Sequence, residues 1–215
     1  MNFKRITISA LALILIVGIT SCRKDDKPTP SSTQPSNTTP SSTNPPVSDS
    51  LTSKNLTYEA SGSFIYTSAA TSSPKTYTHQ YVKAQYKDMS HIWSDTYYTY
   101  MSFYNINATA AAEMITFTFL GKEFPKTGTY KLGPIIIANL GISEADKLLS
   151  DEVAIQVVGN GQVSKRDASI SINVVNDNGK ITITSDNEIK VYDNLMGELK
   201  GTCKNINFTR TTNKK

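Results

Sequence analysis

The chain has 215 residues, 38% hydrophobic and 19% charged. That is enough for about one to one and a half domains and excludes both a multidomain machine and a wholly disordered chain. Two His and two Cys leave few of the side chains that acid/base, nucleophilic or metal chemistry uses, so an enzyme, a hydrolase included, is not the expected class. The net charge of +4 includes Lys4 and Arg5 at the extreme N-terminus, and the small excess left without them gives no electrostatic case for a nucleic-acid partner.

Residues 1–21 read as a secretory signal peptide: a positive start at Lys4 and Arg5, an apolar run from Ile6 through Ile19, then small residues. The run is shorter than the about 20 apolar residues a spanning helix needs. It ends Ile19-Thr20-Ser21-Cys22. A Cys there is badly placed for a disulfide and well placed to carry acyl chains, each buried CH₂ of which is worth about 0.8 kcal/mol. The tetrapeptide resembles the bacterial lipobox, which implies cleavage before Cys22 and its modification with lipid such as palmitate. The next four residues, Arg23-Lys24-Asp25-Asp26, resemble the surface-export signal of Bacteroidota lipoproteins. The expected location is therefore the outer membrane, lipid-anchored and surface-exposed, with a periplasm-facing anchor as the alternative.

Residues 22–53 form the lipid-bearing Cys and a tether. Between Lys27 and Ser53 there are six Pro and fourteen Ser or Thr, and Val47 and Leu51 are the only large aliphatics. Such a segment cannot bury enough apolar surface to offset its ordering entropy. In extended form it would reach roughly 80 Å at about 3.1 Å per residue. Within it, Asp49-Ser50-Leu51 resembles an O-glycosylation motif of the same phylum, which implies Ser50 as the acceptor.

Residues 54–210 alternate apolar and polar with a period of two, the signature of strands. Strands are expected over 58–66, 76–86, 92–106, 114–120, 128–132, 153–158, 170–174, 181–184 and 199–209. Asn178-Gly179 supplies a two-residue hairpin turn that would set Val174 opposite Ile183 and Asn176 opposite Ile181. In the last strand, Leu199, Gly201 and Cys203 differ in parity from Ile206 and Phe208, so a bulge is expected near Lys204-Asn205. One short helix is expected near 143–149, capped by Ser143 with Asp146 at its third position, and residues 211–215 read as a disordered tail. The fold class is all-β: an antiparallel β-sandwich, or alternatively a calycin-like up-and-down barrel. About 155 residues can form a core without disulfides, so Cys203 is expected as a small buried hydrophobe. Gly128-Thr129-Tyr130-Lys131-Leu132, Ile181-Thr182-Ile183-Thr184 and Leu199-Lys200-Gly201-Thr202 resemble, in that order, recurring strands of β-rich Bacteroidota lipoproteins of unknown function. The resemblance covers about the last 90 residues and supplies no catalytic residues.

The search for chemistry yields little. His79 and His91 could approach across a hairpin, but nothing else supports haem, and Asn176-Asp177-Asn178-Gly179 fails as a calcium loop because its first ligand position is Val174. No metal site and no cofactor is expected. The acids Asp95, Glu113, Asp151, Glu152, Asp186 and Glu188 fall at strand ends and loops. The aromatics are the exception, because nine of them lie between Tyr77 and Tyr104. On a strand over 92–104, Trp93, Tyr97 and Phe103 share one face and Tyr98, Tyr100 and Tyr104 the other. Trp93, Tyr98 and Tyr100 are the candidate ligand-binding residues, forming a platform for sugar rings or a small hydrophobic molecule. The expected function is a binding module. The alternative is a structural or interaction component of the cell envelope, with an envelope protein as partner. Metabolic labelling with palmitate tests the anchor: the wild type takes up label and partitions with membranes, and Cys22→Ala does neither.

Overall fold

The computed structural model describes residues 51–105, 114–135, 143–158, 161–194 and 197–215. Cys22 and Ser50 lie outside them. Eleven strands form: β1 (Leu56–Ser68), β2 (Pro74–Asp88), β3 (Tyr97–Tyr104), β4 (Met114–Leu120), β5 (Gly128–Leu132), β6 (Glu152–Val158), β7 (Gln162–Ser164), β8 (Asp167–Asp177), β9 (Lys180–Ser185), β10 (Ile189–Asp193) and β11 (Leu199–Lys214).

The local hairpin expectations hold. Val174 faces Ile183 and Asn176 faces Ile181, with Asn178 and Gly179 both at positive φ, as a type I′ turn requires. The bulge in β11 falls at Asn205, which has a φ of 53°. It returns Ile206 and Phe208 to the interior beside Cys203, and all three are buried.

Of the two architectures, the barrel is the one formed. The first and last strands pair, from Tyr58 opposite Lys214 to Ser68 opposite Gly201, which closes a nine-stranded ring in the order β1-β2-β3-β4-β6-β5-β8-β9-β11. A sandwich would have left those strands as edges. The ring is not a plain meander, because β5 lies parallel to β6 and antiparallel to β8. Beyond β5's end, β7 pairs with both β6 and β10, and β10 with β11. The pairs β7/β8 and β9/β10 thus behave as two bent strands, with β5 wedged where β6 and β8 splay apart.

Three boundaries change. The strand β11 runs on to Lys214, and the Lys215 amide donates to the Thr57 carbonyl, so the final residues belong to the wall rather than to a loose tail. The folded part starts by Leu51, which is buried, while the Thr52 carbonyl accepts from the Tyr86 amide. The helix expected at 143–149 reduces to a 3₁₀ turn, Glu144–Asp146, because Lys147 is already extended. Its start is as expected: the Ser143 amide and hydroxyl both donate to Asp146.

The interior is filled. Phe208 contacts Phe103, Phe117 and Phe64 at ring separations of 4.6, 5.9 and 6.3 Å, so four strands meet on one cluster across the axis. Near one end the buried Arg210 guanidinium lies 3.7 Å from the Tyr58 ring and 4.0 Å from that of Phe124 and donates to the Gly179 carbonyl. Toward the other, Tyr66 covers Gly201, where a Cβ would lie 2.7 Å from the ring. Cys203 is fully buried, and desolvation pushes its thiol up to about 12, which makes it a poor nucleophile.

Closure depends on glycines at the β1–β11 seam: a Cβ on Gly201 would lie 2.5 Å from the Thr67 carbonyl oxygen, and Gly62 is tighter still. At Gly62, φ is 146°, and a Cβ would fall 2.2 Å from the Asn207 carbonyl oxygen and 2.6 Å from the Phe208 Cα. Chemical denaturation should show Gly62→Ala costing about 3 kcal/mol or more, from the combined backbone strain and overpacking. Gly128→Ala, with its nearest neighbour at 3.9 Å, should cost less than about 1 kcal/mol.

Candidate functional site

With the axis filled by phenylalanine rings, the search for a site moves to the outside of the wall. The outward positions of β3 carry Tyr98, Tyr100, Ser102 and Tyr104, while Met101 and Phe103 point into the core. Trp93 is not on this strand. Residues 89–96 form a compact turn in which the Trp93 amide donates to the Met89 carbonyl, the Met89 amide donates to Thr96 and Asp95 takes a φ of 51°. The turn breaks the parity that alternation would have carried from Trp93 to Phe103. It lays the indole edge-on to Tyr98, at 6.2 Å and 81°.

The three candidate residues therefore separate. Trp93 is 4% and Tyr98 0% exposed. Together with Met89, Leu148 and Ala154 they make a second small core on the outside of the barrel, and the Tyr98 hydroxyl accepts from the Leu148 amide at 3.1 Å. Trp93 lies outside the pocket that Tyr100 lines, whereas Tyr98, though buried, is one of its lining residues. Tyr100, two residues further on, is only half-buried and lines a pocket of about 230 Å³ with Thr118, Gln156, Ile135, Val163 and Asn194 among its other residues. Desolvation, and secondarily the nearby Tyr98, push the Tyr100 phenol up to about 12.

The chain crossing over this face is strapped in place. Arg166 grips Glu152 with two hydrogen bonds of 2.7 and 2.9 Å and donates to the carbonyls of Ala145 and Lys147 at 2.6 and 2.8 Å. Glu152 also accepts from the Leu149 amide at 3.0 Å. This fixes Leu148 over Tyr98, and a Cβ on Gly133 would lie 2.3 Å from the Leu148 Cδ1. Ser164 completes the frame by donating to the Gly133 carbonyl and accepting from the Ile155 amide, each at 2.9 Å.

The two histidines do not converge. His79 is buried between Phe64 and Phe208, whereas His91 is exposed in the β2–β3 turn. Of the acids, Glu152 is held by Arg166 and Asp151 pairs with Lys131 at 3.3 Å. Asp95, Asp186 and Glu188 are exposed, and Glu113 lies outside the described residues. Among the described residues, no group of three or more His, Cys, Asp or Glu is placed to hold a metal ion.

Sequence reasoning missed the far wall of the pocket, formed by Pro134, Ile135, Leu148 and Val163. A Gly-Pro pair directly after β5 was the available signal, since it marks a departure from the sheet. Val163 lies on a three-residue strand, too short for periodicity to register. Comparison of the chain with protein-family models, with curated proteins and with solved structures found no match to any of them.

Absorbance titration of tyrosinate should show a component near pH 12 that Tyr100→Phe removes. Because the folded-state value exceeds the ordinary phenol value of 10.0, the associated stability is complete below pH about 10 and is lost as pH rises towards about 12. Unfolding midpoints across that range should fall less in Tyr100→Phe than in the wild type.

Proposed function

We propose that this protein is a lipid-anchored outer-membrane lipoprotein of the Bacteroidota type. In this reading the barrel is a binding module, held on a tether that begins at Cys22 and turned toward the cell's exterior. The observation that carries it is the pocket beside Tyr100, an apolar recess with a few polar groups, built on strapped and buried supports. Pre-formed concavity of this kind is the usual mark of a ligand site. At about 230 Å³ it falls below the roughly 300 Å³ at which drug-sized sites begin, so it suits one ring or a short apolar group rather than a large cofactor.

Two features fit the tethered arrangement. The barrel carries its apolar residues inside and polar ones outside, the reverse of a barrel embedded in lipid, so attachment falls to the lipid on Cys22. The described residues begin at Leu51, which is buried, so an O-glycan on Ser50 would stand at the base of the folded part. An envelope-protein partner remains the second reading. It would use a face of the wall or the stretch of β2 from Pro74 to Gln80, which among the described residues pairs with β1 alone and offers the free edge that strand addition needs.

Screening the full chain on a glycan array tests the reading, with Val163→Trp as the pocket-filling control. The wild type should retain specific sugars that the variant loses by about tenfold or more at unchanged unfolding midpoint. Identical patterns for the two would remove the pocket from the function.

A further inference from the structure

The outer face of β2 and β3 next to the pocket repeats one arrangement. The Lys87 ammonium lies 5.0 Å from the Tyr100 ring centre, and the Lys83 ammonium lies 5.0 Å from that of Tyr104. Both pairs are dictated by register. Lys83 stands opposite Ser102, between Tyr100 and Tyr104, and Lys87 stands opposite Tyr98. The two units are four residues apart on each strand, about 13 Å at roughly 3.3 Å per residue. Beyond them, Tyr81 packs 5.9 Å from Tyr104, and the Lys215 ammonium donates to its hydroxyl at 2.6 Å.

Of the acids around this face one is neutralised by a cation and two stay charged at its margins, held by neutral donors. Glu152 is gripped by Arg166, Asp88 accepts from the Ser90 amide at 2.8 Å, and Glu59, opposite Tyr81, accepts from Asn213. Between the two units lie hydroxyls, with Ser102 and Thr116 bonded to each other at 2.8 Å. Lysines packed on aromatic rings remain point charges with free donors.

We propose that this face binds an acidic glycan, a polymer of pyranose rings bearing carboxylates, with one ring seated at the Tyr100 pocket. The inference rests on the pocket reading above and adds the ligand class. Two lysines about 13 Å apart cannot share one carboxylate, so the repeat calls for a chain with spaced charges rather than a single anionic sugar. Tyrosine rings offer stacking surfaces to pyranoses, and the hydroxyl-lined strip between them matches a hydroxylated polymer. A nucleic acid fits less well, since its binding draws on many closely spaced phosphate contacts and this strip supplies few cations.

The test is calorimetric titration of the full chain in detergent with polygalacturonate, with its fully methyl-esterified form, and with an oligothymidylate. Polygalacturonate should bind, more weakly at higher salt. The ester should bind about tenfold less tightly, and the Lys83→Gln/Lys87→Gln double variant should lose about tenfold for the acid form alone. Equal binding of acid and ester would overturn the charge reading while leaving the pocket as a sugar site. Equal or tighter binding of oligothymidylate would overturn it in favour of general polyanion attraction. Failure of the folded chain to bind any polymer would overturn the glycan assignment, while the array comparison with Val163→Trp judges the pocket by itself.

Discussion

Phe208 packs, tilted or edge-on, against three other phenylalanines from three other strands, and it can do so only because Gly62 lets the β1 backbone pass within contact of its Cα. The two features enforce each other. The ring cluster draws the first and last strands together, and the missing side chain at Gly62 allows the approach that seals the wall. Burial of each such ring contributes on the order of 2–3 kcal/mol, and truncation of one would cost about 3–5 kcal/mol once the cavity is included. A barrel closed in this way has a solid centre. Small barrels that carry ligands inside leave the axis open, whereas here the interior is filled and given over to stability.

The filled interior explains the use of aromatics. Phenylalanine supplies the axis, where a hydroxyl would need a partner, and tyrosine dominates the outer wall, where its ring can pack and its hydroxyl can reach solvent or a backbone group. Tyr98 and Tyr100 show how finely the distinction is drawn. They share one face of β3 and line the same pocket, yet Leu148 and Trp93 cover the first completely while the second stays half-buried. The Arg166–Glu152 pair decides this by holding the 3₁₀ turn down. Most of its bonds go to backbone carbonyls and a buried carboxylate, so removing either partner would leave groups inside that demand compensation.

Sequence reading reached furthest where the determining forces are local. The β8–β9 register followed from Asn178-Gly179 and the parity of Val174 and Ile183, all within ten residues, and the β11 bulge followed from a change of parity between Cys203 and Ile206. It failed where one segment's fate depends on a distant one. Nothing near Tyr58 announces that it will face Lys214, so sandwich and barrel looked alike. Trp93 was assigned to the wrong face because alternation was carried through a turn whose positive φ at Asp95 no pattern reveals. Tyr98 and Tyr100 were indistinguishable because what covers one and not the other arrives from residues 133–148. The strands β7 and β10, three and five residues long, are created by their neighbours rather than by their own composition.

Pairing the first strand with the last also governs when the domain can fold. Glu59 and Thr211 are hydrogen-bonded although 152 residues separate them, and topologies dominated by such distant contacts fold slowly. The ring cannot close until β11 is free to pair with both β1 and β9, so every earlier assembly of the strands is an open sheet. Phe208, which completes the core, takes its place only when the first and last strands meet, so any partial assembly of the intervening strands lacks its central ring.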